Sequence, residues 1–181
     1  MILERYNRLA AGFQHTAEAV PPDRWSSVSP CEGWTARDVA GHVIEAHLMQ
    51  LSFVGEQPGH VPSVEDQPLA ALRSVRAAVA DQLAVDERAN QAIEGVGGRT
   101  TFAESVDRFL SFDLLIHRWD LAHASGQEAA FDPADVSWAR DVAEGFGDFL
   151  RAEGVCGPAL TPPPGADEQT TLLAYLGRRA W

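Results

Sequence analysis

Residues 111–126 read SFDLLIHRWDLAHASG. Phe112, Leu114, Leu115, Ile116, Trp119 and Leu121 recur at helical spacing, and Ser125-Gly126 is a helix stop. The stretch reads as a helix facing a core, yet it carries Asp113, His117 and Asp120. At roughly 100° per residue, positions i, i+4 and i+7 form one stripe along a helix. A carboxylate taken out of water suffers a penalty of several kcal/mol unless it is paired or bound to a metal. The stripe therefore calls for a partner.

The rest of the chain supplies more helices. Leu3, Tyr6, Leu9, Ala10, Phe13 and Ala17 predict a helix over 2–20 that ends before Pro21-Pro22. The connector PPDRWSSVSPCEGW is rich in turn formers, but its Trp25 and Trp34 argue that it packs down. Thr35 is an N-cap with Asp38 three residues on, so the next helix is predicted to run from 35 to 53. An Ala-rich helix follows over 68–85, GVGGRT is a break, and one long helix is predicted over 102–124. Asp132-Pro133 opens a further helix to 153, with Val136, Ala139, Val142, Phe146, Phe149 and Leu150 facing inward. GPALTPPPGA is irregular, and DEQTTLLAYLGR is a short closing helix. No segment alternates convincingly as a strand. The expectation is an all-α single domain over 1–181, a bundle with short additional helices and a Pro-rich C-terminal tail over 153–181.

Composition narrows the function. With 181 residues, 45% of them hydrophobic, the chain can bury a substantial core. A formal net charge of −12 repels phosphate backbones and anionic membranes, so neither nucleic acid nor a membrane is an expected partner. No apolar run reaches the roughly 18 residues of a membrane span, and the charged MILERYNRLAAGF start is unlike a signal peptide. A cytoplasmic location is expected. Every basic side chain is arginine, which excludes Schiff-base and P-loop lysine chemistry.

Asp113 and His117 stand at i, i+4, the spacing that turns two ligands toward one point. His42, flanked by Val39, Val43 and Ala46, is the best source of a third. Two imidazoles and one carboxylate with an open position form the ligand set of a catalytic-type zinc site or a related non-haem metal site. Spacing alone leaves a second reading open, in which Asp113 and His117 are a buried ion pair between helices. Asp120 could accept a hydrogen bond from a ligating imidazole or serve as a base, or contact a loop or Arg118. His47 and His123 fall off the stripe, and His15 and His60 read as solvated. Cys31, four residues before the cap with no His near it in sequence, reads as a small packing residue. Cys156 reads as structural or free, and Trp25, Trp34, Trp119 and Trp138 as core or pocket lining.

CEGWTARDVAGHVIEAH, FDLLIHRWDLAHASG and the tail with its closing LLAYLGR helix together resemble the DinB/YfiT-like metal-binding superfamily. The similarity is greatest to the actinobacterial branch related to mycothiol-dependent maleylpyruvate isomerase. It implies a DinB-like four-helix bundle with a long crossover, holding one divalent metal through His42, Asp113 and His117. Zinc is the first expectation, with nickel and iron as alternatives. It further implies mycothiol as co-substrate, bound to the metal as thiolate and added to a small electrophile by a transferase or isomerase. Arg37, Arg73 or Arg118 would attract an anionic thiol. Two features depart from the isomerase pattern. Asp113 stands where that branch often has Glu, and a chain ending at Trp181 leaves no room for the isomerase's additional domain, so maleylpyruvate isomerisation itself is not expected. Two rivals remain: a metal-dependent hydrolase activating water, and a non-catalytic metal- or ligand-binding module, dimeric through exposed helix faces.

Overall fold

Helix α2, Ala36–Phe53, starts where its sequence demands. Thr35 Oγ1 accepts from the Asp38 N–H, while the Asp38 carboxylate accepts from the Thr35 N–H at 2.8 Å. Two amides otherwise left without partners at the helix start are thus satisfied reciprocally. The computed structural model describes residues 1–152 and 154–181. These form two compact units, Met1–Glu128 and Ala129–Trp181.

In the first unit, α1 (Ile2–Glu18), α2 and α3 (Pro68–Leu83) combine with a helical run from Phe102 to Ser125. That run consists of α5 (Phe102–Ser105), a π-turn (Val106–Ser111) and α6 (Phe112–Ser125). Packing proceeds around a ring, α1 on α3, α3 on α2, α2 on α6 and α6 on α1. Helices α1 and α2 thus sit on one diagonal of a four-helix bundle. Tyr6, Phe13, Leu51, Leu72, Leu114, Leu115 and Leu121 fill its core. The fold is all-α and DinB-like, as the sequence implied. Among the described residues, no helix is long and apolar enough to cross a membrane.

Two local expectations for this unit need correction. GVGGRT is not merely a break. A short helix α4 (Asp86–Ala89) leads into an antiparallel hairpin, β1 (Ala92–Gly95) and β2 (Gly98–Thr101), with Ile93 opposite Thr100. Four-residue strands with one buried side chain, Ile93, leave almost no alternation to read. The single helix predicted over 102–124 is interrupted by the π-turn, whose wider hydrogen bonding inserts an extra residue just ahead of Asp113. Gly126 then ends α6 in the left-handed conformation, at φ 77°.

The second unit contains α7 (Pro133–Gly145), opened by the Asp132 side chain accepting from the Ala134 N–H at 2.8 Å. The predicted extension of this helix stops early. Gly147 adopts φ +54°, and a 3₁₀ turn over Gly147–Arg151 replaces the last α-turns. Phe149, expected inside, is 44% exposed, whereas Leu150 is buried. Glu153, the expected end of that helix, lies outside the described residues. Helix α8 (Glu168–Tyr175) closes the chain, capped by Asp167.

Candidate metal centre

His42 lies seven residues into α2 from its cap, about 10 Å along the axis at 1.5 Å per residue. Asp113 and His117 lie on the first turns of α6, immediately after the π-turn. The contact between α2 and α6 brings the three together. Each offers one ligand atom, and these atoms lie within 4.8 Å of one another. His42 Nε2 and Asp113 Oδ2 are 3.4 Å apart, long for an N–H···O hydrogen bond. It matches the edge of a tetrahedral zinc site, which is about 3.4 Å for metal–nitrogen and metal–oxygen bonds near 2.1 Å. The His42 and His117 rings meet edge to face, with centroids 4.8 Å apart. The donor set therefore fits a divalent ion of the zinc, nickel or iron type.

His117 is oriented from behind. Its Nδ1–H donates to Asp120 Oδ2 at 2.9 Å, and Asp120 is fully buried. A carboxylate accepts only, so this bond fixes the tautomer and leaves Nε2 as the basic nitrogen. His42 and Asp113 side chains are 35% and 30% exposed, against 10% for His117, so the cluster opens to solvent on one side.

Trp34 stands over both imidazoles. Its ring stacks on His117 at 6.0 Å with a 29° tilt, and lies 5.0 Å from the His42 ring. The turn that delivers it is fixed by sequence. The Trp34 N–H donates to the Cys31 carbonyl at 3.1 Å, and Gly33 takes the left-handed third position at φ 77°. The Ser29 N–H donates to the Trp34 carbonyl at 2.8 Å, and Ser29 Oγ accepts from the Cys31 N–H at 3.2 Å.

The same turn brings Cys31, which by sequence alone reads as a packing residue, to the metal-ligand cluster. Cys31 Sγ lies 3.3 Å from Asp120 Oδ2 and 4.0 Å from His117 Nδ1, across 86 residues of sequence in the second case. The one sequence signal was its position just ahead of Trp34 and the Thr35 cap, which ties it to the end of α2 that carries His42.

His47 is fully buried. Its Nδ1–H donates to the Val43 carbonyl at 2.6 Å and its ring meets Tyr6 edge-on. Burial holds its pKa down to about 4, against smaller opposing effects of the Val43 carbonyl and Asp113. His123 stacks on Trp119, and His15 and His60 are exposed. Of the three arginines proposed to attract a thiol, two form ion pairs with acidic side chains. Arg37 ion-pairs with Glu65 at 3.6 Å and donates to the Val64 carbonyl, and Arg73 pairs with Glu18 at 3.3 Å. Arg118 lies against α1 at Gly12, where a Cβ would stand 3.4 Å from its guanidinium.

Fold and cluster together define a helical-bundle domain of the DinB-like kind with a carboxylate–imidazole centre. The chain belongs to the mycothiol maleylpyruvate isomerase N-terminal domain family, whose profile matches residues 6–122. It is similar to uncharacterized proteins from two strains of Mycobacterium tuberculosis. Each is 28% identical over 187 aligned positions, covering 97% of both chains. No solved structure matches the chain significantly.

Proposed function

We propose that the chain holds one divalent metal ion through His42, Asp113 and His117, and acts with a low-molecular-weight thiol, mycothiol first, on a small electrophile. The observation that carries this reading is the convergence of His42 Nε2 and Asp113 Oδ2, 3.4 Å apart, on an imidazole whose far nitrogen Asp120 already holds. Held by these residues, a divalent ion would supply Lewis acidity that favours the thiolate form of a bound thiol.

The chain's own residues do the rest. Two imidazoles and the Asp113 carboxylate would leave a coordination position open for an anionic sulfur ligand. Asp120 keeps the His117 lone pair aimed outward through Nδ1. Trp34 covers the two rings and limits water around them. The half-exposed side formed by His42 and Asp113 is the approach for thiol and electrophile.

Thermal unfolding of zinc-loaded protein with and without mycothiol tests the proposal. Saturation at about 100 times the dissociation constant adds about 2.7 kcal/mol of stability, a shift of several degrees. The shift should vanish in His42→Ala. An equal shift in that variant, or none in loaded wild type, would refute the thiol role.

A further inference from the structure

We propose that Cys31, His117 and Asp120 form a second, softer metal-binding set that shares the His117 imidazole with the first and is filled in its place. The three offer Sγ, Nδ1 and Oδ2, all within 4.8 Å of one another. Their separations are 4.0 Å for Sγ to Nδ1, 3.3 Å for Sγ to Oδ2 and 2.9 Å for Nδ1 to Oδ2. A tetrahedral ion with metal–sulfur bonds near 2.3 Å and metal–nitrogen or –oxygen bonds near 2.1 Å needs about 3.6, 3.6 and 3.4 Å. Shifts of about half an ångström or less in side-chain position close the difference.

The two sets differ in charge and in softness. The first set supplies one anionic ligand, the Asp113 carboxylate. The second supplies two, the Cys31 thiolate and the Asp120 carboxylate. Asp120 is fully buried and His117 nearly so, and a cation bound between them pairs directly with a carboxylate that burial would otherwise penalise. A thiolate ligand selects thiophilic cations, whereas imidazole and carboxylate alone do not.

One imidazole serves both sets through its tautomers. With the proton on Nδ1, donated to Asp120, Nε2 belongs to the first set. When the cation enters the second set, that proton moves to Nε2 and the Cys31 thiol proton is released. Net release is one proton per ion bound. Filling both sets at once would require an imidazolate.

Cadmium titration of metal-free protein in a Cys156→Ser background, which removes the other thiol, tests this directly. The expected result is thiolate-to-cadmium charge-transfer absorption in the ultraviolet, saturating at one equivalent with one proton released. It should persist in His42→Ala and in Asp113→Ala, because neither belongs to the second set. Cys31→Ser should abolish it and weaken cadmium binding by at least about tenfold in the His42→Ala background. Cadmium binding without the absorption, or absorption lost in His42→Ala, would overturn the proposal. Two cadmium ions bound together would overturn the shared imidazole. Failure of the first set alone would appear differently, as absorption unchanged with no metal bound in Cys31→Ser.

Discussion

The Asp120 carboxylate, with no exposed surface, accepts from His117 Nδ1 at 2.9 Å through the same oxygen that Cys31 Sγ approaches at 3.3 Å. A ligating imidazole held from behind in this way has a fixed tautomer and ring orientation. Asp120→Asn keeps the shape but removes the charge, so metal affinity should fall by about 10- to 100-fold in a chelator-competition titration, with the helical signal unchanged. An affinity equal to wild type would show that Asp120 does not act through His117.

The turn that carries Cys31 and Trp34 depends on Gly33. Its φ of 77° is strained for any side chain, while the space around it is open. Gly33→Ala should therefore cost about 1 kcal/mol from backbone conformation alone. Gly59→Ala, also in open space but without a left-handed φ, should cost far less. Chemical denaturation of both variants makes the comparison.

Helix α2 relies on its cap to bring His42 into place. Thr35→Ala removes the side chain that accepts from Asp38 N–H, and should destabilise the protein by about 1 kcal/mol. The hydrogen bonds from Thr35 hold the Asp38 carboxyl below its ordinary value. Its contribution is therefore present above the usual carboxylate range and fades as pH falls through it. Melting curves should show the wild-type advantage over Thr35→Ala shrinking in acid.

His47 gives a second pH signature with the same direction and a different window. Its pKa falls from 6.5 to about 4 on burial, so between those values the unfolded chain takes up a proton that the folded chain refuses. Stability then declines as pH drops from 6.5 toward 4, at a slope approaching about 1.4 kcal/mol per pH unit. Tyr6, Asp113 and Arg76 are the other titratable groups acting on it. In metal-free protein, His47→Gln should flatten the acid limb of the stability profile.

What the sequence revealed follows the range of the interactions involved. The Thr35–Asp38 cap spans three residues and the Asp113–His117 pair four, so local spacing exposes both. His42 was reachable because it sits on the apolar face of a clearly periodic helix. The hairpin over 92–101 was not legible, since its strands are four residues long and bury one side chain. The π-turn over Val106–Ser111 leaves the apolar pattern of 102–124 intact, so nothing in the pattern distinguishes it from an α-helix. Cys31 has no neighbouring His in sequence, and its partners are 86 and 89 residues away. Contacts of that range depend on the assembled fold.

Metal content of purified wild-type protein, compared with His42→Ala and His117→Ala, tests the central claim most directly. The account predicts close to one zinc, nickel or iron ion per wild-type chain, by mass spectrometry after purification or reloading. In a Cys31→Ser background, which leaves the first set alone, His42→Ala should lose most of the metal, and His117→Ala, which removes the ligand common to both sets, should bind none. Wild-type protein that takes up no metal even after reloading with zinc or nickel would contradict it, and would leave Asp113, His42 and His117 as polar contacts between two helices.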